Sequence, residues 1–151
     1  HDGVAAARAV GRARGIGTVD VYIATEAGLP GAALLQEVQA DLQERREIAV
    51  DVQAKAPAAA EIGVSAELAV REGTDFSAVK AAAEQALAGF FSGRRLGKAV
   101  LLAELGDLLY HVEGVENYRL LSPAADLAAG DARLPVLGTV TITEMEADGD
   151  V

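Results

Sequence analysis

A chain of 151 residues has enough material for one ordinary domain or for two small lobes sharing a core. Half of it is hydrophobic but only 4% is aromatic and tryptophan is absent, so alanine-rich close packing is expected in place of large aromatic pockets. The net charge of −10 argues against general binding to nucleic acid or anionic membrane, and the lack of cysteine excludes disulfide and thiolate chemistry.

No apolar run approaches the ~18 to 20 residues needed to cross a bilayer, so no membrane insertion is expected. No targeting segment is visible. His1 stands where an initiating methionine would, and the chain is strand-like almost from its start. Both features read as a piece of a longer protein or a chain lacking its first residues.

Val4 to Val10 reads as a short strand and Gly11 to Gly17 as its glycine-rich loop. Thr18 to Thr25 alternates with the period of a half-buried strand, placing Val19, Val21 and Ile23 on one face. Gly28-Leu29-Pro30-Gly31 ends it. From Ala32 the spacing of Leu34, Leu35, Val38 and Leu42 is helical, with Gln36, Glu37, Asp41, Glu44 and Arg45 on the wet side. Ile48 to Ala56 returns to strand, and Pro57 closes it.

Ile62, Val64, Ala66, Leu68 and Val70 then alternate with small or polar residues. A strand gathers all five on one face, whereas a helix would scatter them. Gly73-Thr74-Asp75 supplies a turn and an N-cap oxygen for a helix reaching about Phe91, with Phe76, Val79, Ala83, Leu87 and Phe90 as its apolar stripe. Arg94, Arg95 and Lys98 form a basic link around Gly97. A second helix is expected from Leu101 to Val112 despite Gly106, followed by strands at Val115 to Leu121 and Leu137 to Thr143.

The order ββαβ-βααββ predicts an α+β fold of two small mixed sheets, each covered by helices, with one continuous mixed sheet as the alternative. The expected divisions are a first lobe at 1–57, a second at 58–144 and an acidic flexible tail at 145–151. Internal duplication is also expected. Asp2-Gly3-Val4 leading to Gly17-Thr18-Val19 is echoed by Glu113-Gly114-Val115 leading to Gly138-Thr139-Val140, as though one hairpin occurred twice.

Candidate chemistry is sparse. With His1 and His111 the sole histidines, neither has a histidine partner at metal-ligand spacing. His111 is better read as an imidazolium at a helix C-terminus. Glu104 and Asp107 share a helix face, and a solvated face is the simpler reading than acid–base work. Arg8, Arg12 and Arg14 could contact phosphate, but a solvated loop is preferred. Gly11 to Gly17 leads into a strand and so lacks the helical N–H groups of a phosphate cradle. Gly93 to Lys98 resembles the end of a Walker sequence, yet Ala99 offers no hydroxyl for magnesium. No catalytic, cofactor-binding or metal residue is therefore assigned, and no cofactor is expected.

An ordered set of patterns carries a family resemblance. Gly97-Lys98-Ala99-Val100, Leu105, Val112-Glu113-Gly114-Val115, Leu120, Pro123, Asp126 and Leu137-Gly138-Thr139-Val140-Thr141-Ile142 resemble the C-terminal part of the baseplate J-like family. Gly17-Thr18-Val19-Asp20-Val21, Leu34-Leu35-Gln36-Glu37-Val38 and Val50-Asp51-Val52-Gln53-Ala54 continue it upstream. The resemblance implies a structural, non-enzymatic part of the tail baseplate of a Mu-like phage, a prophage or a contractile injection machine. Its implied partners are other baseplate and tail proteins and further copies of itself, without nucleic acid, after assembly in the bacterial cytoplasm. The alternative is a small ligand-binding or enzymatic α/β domain completed by a missing N-terminal region.

Overall fold

The protein is described by a computed structural model, which places residues 1–47 and 49–146. Its elements run β1 (Ala6–Gly11), β2 (Thr18–Ala24), α1 (Ala32–Arg45), β3 (Asp51–Lys55), β4 (Ala58–Val70), α2 (Phe76–Phe90), α3 (Leu102–Tyr110), β5 (Val115–Ser122) and β6 (Arg133–Glu144), with a short 3₁₀ turn at Gly93–Arg95 before α3. The order is the one that periodicity predicts, and the class is α+β with two three-stranded mixed sheets. Ile48 and most of the expected acidic tail, residues 147–151, lie outside the described residues.

The first sheet has the order β1-β2-β3. β1 and β2 form an antiparallel hairpin with Arg8 opposite Tyr22, and β3 joins β2 in parallel with Asp20 opposite Gln53. A parallel neighbour requires a crossover, and α1 provides it. The helix is fastened to the sheet by Gln39, whose Nε2 donates to the Val52 carbonyl at 2.8 Å while its Oε1 accepts from the Ala54 N–H at 2.6 Å.

The second sheet has the order β5-β4-β6. β4 pairs antiparallel with β5, Glu67 facing Arg119 and Leu68 facing Tyr118, with irregularities at Ser65/Ala66 and Ala69/Val70. The period-2 prediction for β4 holds: Ile62, Val64, Ala66 and Leu68 are all buried. They pack against Val79, Ala83 and Leu87 of α2 and Leu105 and Leu109 of α3 in one cluster that also takes in Val115 and Ile142. Asp75 caps α2 by accepting from the Ser77 N–H at 3.3 Å. The glycine in α3 has a reason. A Cβ at Gly106 would lie 2.3 Å from the Tyr118 Oη, so the glycine makes room for the tyrosine of β5.

One expectation is corrected here. The second Gly-Val…Gly-Thr-Val pair is not a repeat of the first hairpin, because β4 lies between β5 and β6. Two strands facing β4 from opposite sides cannot share the hydrogen-bond ladder that joins β1 to β2. β6 also begins at Arg133, earlier than the expected Leu137, and includes Pro135. An outer strand tolerates a residue that cannot donate.

The chain forms two compact units, and they are not simple consecutive halves. The first holds His1–Ala60 together with Ser92–Lys98 and Ala129–Val136, two stretches inside the expected second lobe. The second holds Glu61–Phe91, Ala99–Ala128 and, among the described residues, 137–146. In the first unit, Leu96 and Leu134 are fully buried with Ala24, and Ala6, Tyr22 and Val136 pack around them. Gly93 lies so close to the Thr25 carbonyl that an added Cβ would sit 1.6 Å from its oxygen.

Candidate protein-contact surfaces

The residues considered for chemistry take structural roles. His111 ends α3, its Nδ1 2.8 Å from the Asp107 carbonyl and 3.2 Å from the Asp107 carboxylate. Glu104 accepts from the Leu101 N–H at 3.3 Å, closing the first turn of the same helix. Asp126, from the long β5–β6 connection, accepts from the Leu102 N–H at 2.7 Å. The same connection is held by reciprocal backbone bonds between Val100 and Leu127 of 3.0 and 2.9 Å. The Walker-like stretch follows helix α2, and its Leu96 is buried in the core of the first unit.

Of the three arginines, Arg8 lies in β1 and Arg12 and Arg14 in the loop after it, and Arg14 is committed. Its Nε donates to Asp20 Oδ1 at 2.8 Å and its Nη1 to Asp51 Oδ2 at 2.6 Å. Asp20 is 2% exposed and accepts a second cation, Lys55 Nζ, at 2.9 Å. A buried carboxylate needs such partners. The hydrogen bond from Arg14, then that from Lys55, holds the Asp20 carboxyl below the usual carboxylate range, against the opposing effect of burial. Sequence reasoning did not single out Asp20. The signal was available: alternation that puts Val19, Val21 and Ile23 on one face of β2 puts Asp20 on the other, in a strand flanked on both sides.

Each sheet has two outer strands, and one sheet face is exposed. β1 and β3 are the outer strands of the first sheet, and β5 and β6 those of the second. Opposite the helices, the second sheet presents Glu61, Gly63 and Glu67 of β4, Asn117, Arg119 and Leu121 of β5, and Thr139, Thr141 and Thr143 of β6. Leu121 is 48% exposed there. At one end of the sheet lies an open groove of about 1090 Å³, whose lining includes Glu67, Glu116, Glu144, Glu146 and Arg119. Arg119 pairs with Glu67 at 3.3 Å. Among the described residues no group of three or more metal-ligating side chains converges, and no helix is long and apolar enough to cross a membrane.

The profile of the baseplate J-like protein C-terminal domain matches residues 62–143, and that of the baseplate J-like central domain matches residues 2–66. The chain belongs to the baseplate J-like family. Both profiles occur in chain order and together span both units. A solved structure of the anti-feeding prophage baseplate, determined by electron cryomicroscopy, contains a chain of similar fold. The likeness has a TM-score of 0.63 at 14% identity and covers 91% of this chain. This chain spans about a third of that one, 34% of its length. No curated protein sequence matches. Membership of this family suggests a structural, non-enzymatic role.

Proposed function

We propose that this chain is a structural part of the tail baseplate of a contractile phage or a phage-like injection machine, working through protein contacts and without catalysis. The observation that carries the reading is the succession of central and C-terminal family domains over residues 2–66 and 62–143. The geometry is compatible with it: polar side chains that could have suggested chemistry close helix ends or neutralise one another, while the helix-free face of the second sheet is exposed. Outer strands accept further strands through their unpaired N–H and C=O groups, and an open sheet face adds area beside them.

Its partners in this reading are other baseplate and tail proteins and further copies of itself. Nucleic acid is not a partner, and assembly takes place in the bacterial cytoplasm before the tail is complete. The test is to express the full-length protein with a tag from its own gene cluster and to image purified particles by electron microscopy. Density for the tag at the tail end is expected. Particles complete without the protein, or a protein that never co-purifies with tail components, would refute the reading.

A further inference from the structure

We propose, resting on the assembly role above, that a basic patch of the first unit receives the carboxylate-lined groove of a second copy of this chain. The patch is built from three separate stretches around Gly97. The Arg8 side chain of β1 lies across this glycine, where a Cβ would meet its Nε at 2.5 Å, and Arg8 Nε faces the Leu96 carbonyl at 3.5 Å. The Gly97 N–H donates to the Arg133 carbonyl at 3.1 Å, which brings in the start of β6, and Lys98 follows directly. Arg8, Lys98 and Arg133 are all exposed. Arg94 and Arg95 occupy the preceding turn, Arg94 paired with Glu26.

Arg8, Lys98 and, through its backbone, Arg133 thus meet around Gly97 on a protein of net charge −10. Such clustering runs against the overall field, and a negative surface is its natural complement. The chain carries that surface itself. In the groove of the second unit, Arg119 is already engaged by Glu67, while Glu116, Glu144 and Glu146 meet no cation within ion-pair distance among the described residues. Each copy therefore offers one surface of each sign. A contact between unlike surfaces of two copies is heterologous and leaves a further site on each partner for the next copy.

Sedimentation velocity on the purified chain tests this at ~0.02 M and ~0.5 M salt, where screening differs strongly. The average mass should rise with protein concentration in low salt and fall toward the monomer in high salt. Lys98→Glu with Arg133→Glu, and separately Glu116→Lys with Glu144→Lys and Glu146→Lys, should each weaken association by about tenfold or more. Mixing the two variants should restore it, because each then supplies the sign that the other lost. The single changes Lys98→Glu and Glu116→Lys serve if a multiple variant fails to fold. A wild-type chain that stays monomeric throughout, variants that associate as the wild type does, or a mixture that stays monomeric would each overturn the inference. Particles carrying the full-length protein alongside a monomeric chain would sink this contact and leave the baseplate role standing.

Discussion

Replacing Gly106 by alanine sets two effects of opposite sign against each other. In an ordinary helix interior the change stabilises by about 1 kcal/mol, because glycine loses more backbone freedom on folding. Here the new methyl would sit 2.3 Å from the Tyr118 Oη and 2.8 Å from its Cζ, so the ring must move by about an ångström or more. The ring packs against the core of the second unit and lies 6.4 Å from the Tyr110 ring. Displacing it by enough to return roughly 80 Å² of apolar surface to water costs about 2 kcal/mol. The net expectation is a loss of about 1 kcal/mol, or about 2–4 °C in melting temperature for a protein of this size. In a Tyr118→Ala background the obstruction is gone, and Gly106→Ala should then stabilise by up to about 1 kcal/mol. Thermal melts of the four proteins in this cycle decide the matter. A rise in melting temperature in the wild-type background, or the same sign in both backgrounds, would refute the packing argument.

The buried carboxylate makes a pH prediction. The Asp20 carboxyl is depressed in the folded state, so its stabilisation is present above the unfolded pKa of about 4 and is lost as pH falls through the lower folded value. Asp20→Asn should lower the denaturation midpoint at neutral pH, and its gap from the wild type should close only below about pH 4; a constant gap down to lower pH would count against the ion pairs as its source. Leu68→Ala, at a fully buried position in the central strand of the second sheet, should cost about 2–5 kcal/mol in denaturant unfolding. Gly93→Ala should destabilise by about 2 kcal/mol or more, because the obstructing atom is a backbone oxygen that cannot rotate aside. A neutral effect there would contradict the close approach to Thr25.

Elements defined by periodicity were legible in the sequence. β4 shows this best, since its alternating residues became the floor of the main core. Strand pairing was less legible. The shared Gly-Val and Gly-Thr-Val openings mark where strands begin, but carry no information about which strand lies beside which, and β4 separates the second pair. The helical glycine showed that α3 tolerated a weak helix former, without revealing that a tyrosine from β5 was the cause. The cluster of Arg8, Arg12 and Arg14 illustrates the same limit at the candidate surfaces. Charge density alone could not tell that Arg14 would be drawn onto Asp20 and Asp51 while Arg8 turned across Gly97.

The interleaving of the two units constrains how such a gene can be recombined. The central-domain match ends at residue 66, yet the first unit buries Leu96 and Leu134, which are encoded well downstream. Exchange of the upstream segment alone between related genes would pair a foreign hairpin sheet with resident apolar plugs that never evolved against it. Lineages that exchange segments of such a gene should therefore inherit residues 1–60, 92–98 and 129–136 as a linked set.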